Sequence, residues 1–429
     1  MPVDEERART CYLRTERKAD CRGCEACASA CPVGAIAMAE DSEGFRYPVV
    51  NKDACVSCGR CYAACELPES RFHAAEEQRG FGGSITDETV LADSTSGGAF
   101  TAIASAFLAG GGSAVFGVEA KDVFKARHAC SEDSEGLAAF RGSKYVQSEV
   151  GGAYSDVRDR LMAGERVLFS GTPCQVAGLY GYLRKLAASP LLLTVEVVCE
   201  GVPAPALIEK QLAYVSEKRL GGQPVAAMRY RDKWNRGSSK WAFEGMSLAV
   251  AGWDFQSSSW TGDAGRRHVV DRWFNPFWSV WLQHLISRPS CAECPFARRE
   301  RVADVTLGDL WGVHLYCPDL YNDDRGASVV VCNTKKGLNA FEDARPAMAC
   351  RKLDMADVVR YQGPMRGPAG ADPRRGECMA DLSSMGYREF TRKWAKRPTL
   401  KLLVSKYLWG TNRQVCARAN RKSSKGKKS

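Results

Sequence analysis

Eight cysteines near the start of the chain repeat one short spacing twice. The two runs, each reading C-x-x-C-x-x-C-x-x-x-C, are Cys21, Cys24, Cys27 and Cys31, then Cys55, Cys58, Cys61 and Cys65. Three thiolates at this spacing curl onto one iron–sulfur cubane, and the fourth cysteine of each run reaches across to the other cubane. The spacing therefore predicts two 4Fe–4S clusters. Their predicted ligands are Cys21, Cys24, Cys27 and Cys65 for one cluster, and Cys55, Cys58, Cys61 and Cys31 for the other.

Zinc is the alternative metal for closely spaced cysteines. Zinc sites of the ribbon type use C-x-x-C pairs about 15 to 20 residues apart, whereas here each quartet falls within eleven residues. The doubled run is instead the pattern of bacterial ferredoxins. Residues 1–80 are therefore predicted to form a ferredoxin-type domain that carries single electrons. Glu66 replaces the proline that usually ends the second run, and this position binds no metal.

Four further cysteines occur next to strand-like runs later in the chain. Cys174 follows the run at 168–170, and Cys199 follows the run at 195–198. If these two strands are parallel neighbours, both cysteines lie at the carboxyl edge of one sheet, where α/β proteins bind ligands. The pair Cys291 and Cys294 precedes another strand. The four thiols either close a third cubane or are buried apolar side chains, and their spacing alone leaves both readings open.

The elements that must position these residues alternate between strands and helices. The expected strands are 112–118, 166–170, 191–198, 303–307 and 328–331, and the expected helices are 100–108, 154–161 and 207–215. This alternation predicts an α/β body over residues 81–385. With the ferredoxin-type domain before it, the chain is of the α+β class. Residues 225–285 are rich in tryptophan and fit neither period, so we expect an insertion or cap whose aromatic side chains mainly pack.

Composition and charge limit the classes of function. The net charge is +10, but residues 388–429 contain fourteen Lys and Arg and one acidic residue, so the rest of the chain sums to −3. The body therefore gives no reason to expect nucleic acid. No apolar run approaches the roughly 20 residues of a membrane span. Nineteen cysteines in a long chain with a polar start indicate metal ligation in the reducing cytoplasm rather than disulfides.

The basic tail, residues 386–429, contains apolar residues at helical spacing. They are Leu400, Leu403, Val404, Tyr407 and Leu408, with lysines between them. A basic amphipathic helix of this kind either rests on an anionic membrane surface or packs its apolar face on the body. The sequence leaves both alternatives open, and the last nine residues are expected to be disordered.

Four motifs in the body resemble those of one known family. They are STSGGAFT at 94–101, GSKYVQS at 142–148, SGTPCQVAGL at 170–179 and RPSCAECPFARRERVADVTLGDLWG at 288–312. In this order they resemble the coenzyme F(420) hydrogenase/dehydrogenase beta-subunit family, in the bacterial branch that carries an N-terminal ferredoxin domain. The resemblance covers about residues 21–353.

The resemblance implies an α/β body that binds FAD and one further 4Fe–4S cluster. The implied cluster ligands are Cys174, Cys199, Cys291 and Cys294. Residues 94–101 precede an apolar helix whose first N–H groups can bind a diphosphate, although an ordinary Ser/Thr cap is the alternative. The residues implied to hold the diphosphate are Ser94, Ser96, Gly97, Gly98 and Thr101, and those implied to contact the flavin or a phosphate are Lys144, Gln147, Thr172 and Gln175.

The function that follows is electron transfer without acid, base or nucleophile, because a flavin interconverts one-electron and two-electron transfer. The chain is expected to be an oxidoreductase that passes electrons between 4Fe–4S clusters, FAD and a hydride carrier, such as a deazaflavin or nicotinamide, or a reducible metabolite. A redox partner protein or ferredoxin is the expected electron partner. The alternative is an accessory electron-transfer subunit without its own substrate, docked to a partner enzyme.

Overall fold

The computed structural model describes residues 11–65, 71–233, 257–320 and 325–400. Its strands are β1 (Ile36–Glu40), β2 (Arg46–Val50), β3 (Arg79–Ile85), β4 (Ala114–Ala120), β5 (Ala126–Ser131), β6 (Val167–Gly171), β7 (Leu192–Val197), β8 (Val225–Asp232), β9 (Ser257–Gly262), β10 (Arg267–Asp271), β11 (Val305–Asp309), β12 (Ser328–Cys332) and β13 (Met348–Leu353). Its α-helices are α1 (Tyr12–Thr15), α2 (Ala26–Ser29), α3 (Arg60–Cys65), α4 (Glu88–Asp93), α5 (Ala99–Ala109), α6 (Ala153–Met162), α7 (Pro173–Leu183), α8 (Pro205–Arg219), α9 (Pro276–Trp281), α10 (Val313–Tyr316), α11 (Lys335–Ala344), α12 (Met355–Tyr361), α13 (Arg375–Ser384) and α14 (Tyr387–Trp394).

The N-terminal part has little regular structure. Strands β1 and β2 form an antiparallel hairpin, and the short helices α2 and α3 each follow a cysteine-rich loop. Cys27 lies in α2, while Cys61 and Cys65 lie in α3. Elements this short cannot bury a core of their own, so metal ligation and contact with the body must hold them.

The body is built on an eight-stranded sheet in the order β13-β3-β12-β11-β7-β6-β4-β5. Its four central strands, β11, β7, β6 and β4, are parallel, whereas the flanking pairs are antiparallel. All five predicted strands and all three predicted helices are confirmed. Strands β3, β5 and β13 were not predicted. The parallel pairing of β6 with β7 places residues 172–174 and 198–199 at one edge of the sheet, as the sequence required.

The tryptophan-rich region contains a second sheet. Strands β8, β9 and β10 pair antiparallel in the order β10-β9-β8, and residues 234–256 lie outside the described part. Trp260, Trp278 and Trp281 are almost completely buried, so these three side chains pack in the core. The limits of the insertion stay a prediction.

The basic tail is described only as far as residue 400. Helix α14 packs Phe390 and Trp394 into the core around α8 and α9. The predicted amphipathic helix beyond it lies outside the described residues, so its membrane contact stays a prediction. No helix among the described residues is both long enough and apolar enough to cross a bilayer.

Candidate metal centres

Four of the N-terminal cysteines surround one cavity of about 290 Å³. They form the inner set: Cys21, Cys24, Cys27 and Cys65. This is the set that the crossed ferredoxin pattern predicts for one cluster. The same cavity, here called the inner cavity, is also lined by Cys11 and by Cys174 of the body.

The backbone of residues 21–27 explains how three thiols reach one point. Gly23 has φ = +65°, and Glu25 has φ = +62°. Two residues in the left-handed backbone conformation within three positions turn the chain twice. The loop therefore curls around the cavity. A Cβ at Gly23 would also lie 2.6 Å from the amide oxygen of Gln147, so a side chain does not fit there.

The pKa is raised at three inner thiols, those of Cys24, Cys27 and Cys65. Burial raises the pKa of Cys24 to about 11 and raises that of Cys27 well above its ordinary value. The pKa of Cys65 is raised mainly by a hydrogen bond with Cys11 and then by burial. Thiols bind metal only as thiolates, so cluster assembly in this cavity must release protons.

The remaining four ferredoxin cysteines form the outer set: Cys31, Cys55, Cys58 and Cys61. Cys55 and Cys58 are exposed, while Cys31 and Cys61 are partly buried. Residues 51–60 are exposed throughout. A cluster held by the outer set would therefore lie at the protein surface.

The four later cysteines line a second cavity, of about 410 Å³, here called the body cavity. They form the body set: Cys174, Cys199, Cys291 and Cys294. Cys174 follows β6 and Cys199 follows the parallel strand β7. Burial raises the pKa of Cys174 to about 12 and that of Cys291 to about 11. The structure thus brings together the thiols that the sequence proposed for a third cubane.

The start of helix α7 fixes the position of Cys174. Thr172 is the N-cap, and its N–H donates to Oε1 of Gln175 at 3.1 Å. Nε2 of the same Gln175 side chain donates to the Ser148 hydroxyl at 2.9 Å. Pro173 at the first helical position is already restricted to a helical φ. Cys174 is therefore held rigidly at the sheet edge, and its Sγ lies 3.1 Å from the Thr172 hydroxyl.

The two cavities are neighbours. Cys174, Arg22 and Phe296 line both of them. A Cβ at Gly178, one turn after Cys174, would lie 3.0 Å from Sγ of Cys24. Clusters held by the inner set and by the body set would therefore lie in adjacent cavities.

Hydrogen bonds fix the ferredoxin loop on the body. The Gln147 amide donates to the carbonyl oxygens of Arg22 and Gly23 at 2.6 and 3.0 Å. Arg288 Nε donates to the carbonyl oxygen of Cys21 at 2.8 Å. The Tyr154 hydroxyl lies 3.1 Å from the carbonyl oxygen of Cys24. The inner set is thus built at an interface and not inside an independent module.

The residues proposed for the diphosphate form the loop before α5. The hydroxyls of Ser94 and Ser96 donate to the carbonyl oxygens of Val90 and Ala327. Gly97 N–H donates to the Ser328 hydroxyl, Thr101 is buried, and Gly98 caps the helix with φ = +77°. The N–H groups of the first turn of α5 lack partners inside the helix, so they are the groups that could bind a diphosphate here.

The side chains proposed to contact the flavin are held by protein groups. Lys144 Nζ lies within 3.3 Å of four carbonyl oxygens, those of Val118, Ala139, Phe140 and Arg141, which share its three N–H donors. Burial lowers the pKa of Lys144 to about 8. The amides of Gln147 and Gln175 make the contacts given above. The structure thus gives these residues positions in the scaffold, and their flavin contacts stay predictions.

The geometry differs from that of a site for one metal ion. Among the described residues, no three His, Cys, Asp or Glu side chains converge on a single ion position. In a cubane each thiolate binds a different iron atom, so the four sulfurs stand farther apart than around one ion.

Three family models match the chain. The first is the "4Fe-4S dicluster domain", over residues 20–67. The other two describe the beta subunit of "Coenzyme F(420) hydrogenase/dehydrogenase": its N-terminal part matches residues 81–154, and its C-terminal part matches residues 164–357. The fold and the cysteine sites therefore define an iron–sulfur electron-transfer protein. The chain belongs to the coenzyme F(420) hydrogenase/dehydrogenase beta-subunit family.

A solved structure is also similar to the chain. It is the xenon-derivatised F(420)-reducing [NiFe] hydrogenase complex from Methanosarcina barkeri, with 16% identity and a TM-score of 0.42, covering 74% of this chain and 91% of the other. No curated protein sequence matches the chain significantly.

Sequence reasoning missed three residues of these sites. Cys11 lines the inner cavity, Arg22 lies between the cavities, and Arg288 contacts Cys21. Cys11 fits no ligand spacing, and the two arginines gain their positions only when distant parts of the chain meet. No local signal in the sequence could have found them.

Proposed function

We propose that the chain carries electrons from its surface to the edge of the body sheet through three 4Fe–4S clusters. The outer, inner and body sets would each hold one cluster, and each cluster when bound carries single electrons. The observation that carries this proposal is the order of the cysteine sets. The outer set has two exposed thiols, and the inner set has one buried and three partly buried thiols. The inner cavity shares Cys174 and Arg22 with the body cavity.

The outer set is the proposed entry or exit point. Cys55 and Cys58 are exposed, so the described residues leave room for a partner protein to approach a cluster there. A redox partner protein or ferredoxin is the proposed partner. The family description as a beta subunit agrees with such a partner.

FAD is the proposed cofactor at the end of the electron path that lies away from the outer set. When bound, FAD would interconvert single-electron transfer and hydride transfer. Its support is the family membership and the first turn of α5, whose N–H groups and positive helix end suit a diphosphate. The proposed acceptor or donor is a hydride carrier, such as a deazaflavin or nicotinamide, or a reducible metabolite.

An accessory role is the second candidate. The family is named for one subunit of a larger enzyme, and a protein of this kind can relay electrons to a partner without a substrate of its own. Turnover of a deazaflavin or a nicotinamide by the isolated chain would favour the oxidoreductase. Reduced clusters with no turnover of any small carrier would favour the accessory role.

The test is anaerobic purification of the full chain followed by iron, sulfide and flavin analysis. Three clusters require about twelve iron atoms per chain, and two require about eight. Heat denaturation should release one FAD. A full chain with about eight iron atoms would remove the third cluster from the proposal, and a fully loaded chain without flavin would remove FAD.

A further inference from the structure

Arg288 is a deeply buried arginine that forms no ion pair with any described residue. Its side chain is 1% exposed, and its hydrogen bonds go to Cys21, Arg46 and Gln147. Two other buried arginine side chains, Arg231 and Arg301, each pair with a carboxylate. A buried charge is costly unless an opposite charge compensates it. The guanidinium also lies 4.4 Å from the centre of the Tyr47 ring and 5.4 Å from that of Phe45, but aromatic rings compensate a buried charge only in part. A group that becomes negative at this place would supply the rest.

The contacts of Arg288 identify that group. Nε donates to the carbonyl oxygen of Cys21 at 2.8 Å, and Nη1 donates to the amide oxygen of Gln147 at 3.0 Å. Nη2 lies 2.9 Å from the carbonyl oxygen of Arg46 and 3.4 Å from Sγ of Cys21. The carbonyl and amide oxygens are neutral. Cys21 Sγ is the contacted atom that becomes anionic, and it does so when it binds iron.

We propose that Arg288 is the buried countercharge of the cluster held by the inner set, and that its hydrogen bond to Cys21 Sγ raises the reduction potential of that cluster. This inference rests on the proposed ligand set. A 4Fe–4S cluster with four thiolates is an anion, and each electron that it accepts adds one negative charge. A cation and a hydrogen bond at a ligand sulfur stabilise the reduced state more than the oxidised state.

Arg288 belongs to the body and not to the ferredoxin part, and this matters for electron flow. Its backbone N–H donates to Val202 of the body, and Cys291 of the body set follows three residues later. Burial disfavours added charge, so a buried cluster by itself is harder to reduce than one at the surface. The body thus supplies the charge that offsets this penalty. Docking of the ferredoxin part on the body is coupled to inward electron transfer.

The test compares Arg288→Gln and Arg288→Lys in the full cluster-loaded chain, with midpoint potentials measured by electron paramagnetic resonance. The Gln variant removes the charge, and we expect the reduction equilibrium of the inner cluster to fall at least about tenfold, which is about 59 mV for one electron. The Lys variant keeps the charge and should shift less. The midpoint potential of the outer cluster should stay unchanged in both variants. Equal shifts in both variants, or none, would overturn the proposal.

Arg14→Gln is the matched control. Arg14 lies seven residues before Cys21, is exposed and forms no ion pair with any described residue, so water and salt screen its charge. Its loss should leave the inner potential unchanged. A shift as large as that of Arg288→Gln would mean that any nearby charge suffices, and would also overturn the proposal.

A measurement on the unmodified chain covers the case in which the variants do not assemble. With ¹⁵N-labelled arginine, pulsed electron paramagnetic resonance should detect coupling between an arginine nitrogen and the reduced inner cluster. Absence of this coupling would refute the contact. A full chain without iron would instead contradict the proposed function, so the two failures are distinguishable.

Discussion

Cys11 is a fifth thiol beside a site that needs four. It is 3% exposed, lines the inner cavity, and hydrogen bonds with Cys65. A buried cysteine away from metal would be a small apolar side chain. Cys11 lies next to Cys65, the predicted ligand from the second cysteine run. We therefore expect that Cys11 can act as a substitute ligand.

This position gives a prediction for Cys65. Replacement of Cys65 by Ser should leave an inner cluster that retains most of its iron, because Cys11 can take the vacated position. Cys65→Ser combined with Cys11→Ser should lose that cluster completely, and Cys11→Ser alone should lose nothing. Iron analysis and the resonance spectrum of the reduced chain distinguish the three variants. Complete loss in Cys65→Ser alone would show that Cys11 cannot substitute.

The body set gives a second prediction at this scale. Cys174→Ser should remove about four iron atoms per chain while the signals of the other two clusters persist. Cys332→Ser is the control, because Cys332 is buried in strand β12 within the sheet core and does not line the body cavity. Equal iron content in the two variants would contradict the third cluster.

At the scale of elements, helix α7 explains how the inner set comes close to the body. Glycine costs about 1 kcal/mol in a helix interior relative to alanine, yet α7 contains Gly178 and Gly181. A Cβ at Gly178 would approach Cys24, and a Cβ at Gly181 would clash with the backbone of Ala64. The two glycines therefore allow the cysteine-bearing helices α2 and α3 to lie against α7.

Gly181→Val tests this packing. The added side chain should push α3 away from α7, cost about 1–3 kcal/mol of folding free energy, and reduce the iron content of the inner set. Gly376→Ala is the control, since Gly376 lies in helix α13 and has open space around it. There we expect a gain of about 0.5–1 kcal/mol. Chemical denaturation and iron analysis give both quantities, and equal stabilities would refute the close-packing argument.

The strands that the sequence predicted are rich in apolar residues, such as β7 and β12. The sequence did not predict strand β3, because three of its seven residues are glycine. Glycine weakens the residue pattern that indicates a strand. These glycines have a packing reason that only the fold reveals, since a Cβ at Gly82 would lie 2.8 Å from Leu353. Spacing predicts the two ferredoxin cysteine sets, and the family resemblance implies the body set. The contact of Arg288 with Cys21, by contrast, joins residues 267 positions apart.

At the scale of the whole molecule, the ferredoxin part and the body share one core. Phe45 and Tyr47 of the ferredoxin part pack in one cluster with Trp281 and Leu285 of the body. The boundary predicted near residue 80 stays a prediction, and contacts among the described residues cross it. Strand β3, which begins at Arg79, is an inner strand of the body sheet. A partner protein would therefore meet one continuous body with a surface cluster.

The shared core makes a prediction about a chain that starts near residue 71. Such a chain keeps β3 but loses Phe45 and Tyr47, so it exposes Trp281 and Leu285 to water. Burying each large apolar side chain contributes about 1.5–3 kcal/mol, and a typical domain is stable by only about 5–15 kcal/mol. We expect lower thermal stability and binding of a hydrophobic dye. The control is the full chain with Cys55→Ala and Cys58→Ala, which loses the exposed cluster but keeps the shared core and should keep near-native stability. A shortened chain that unfolds cooperatively at the temperature of the full chain would show that the body folds independently.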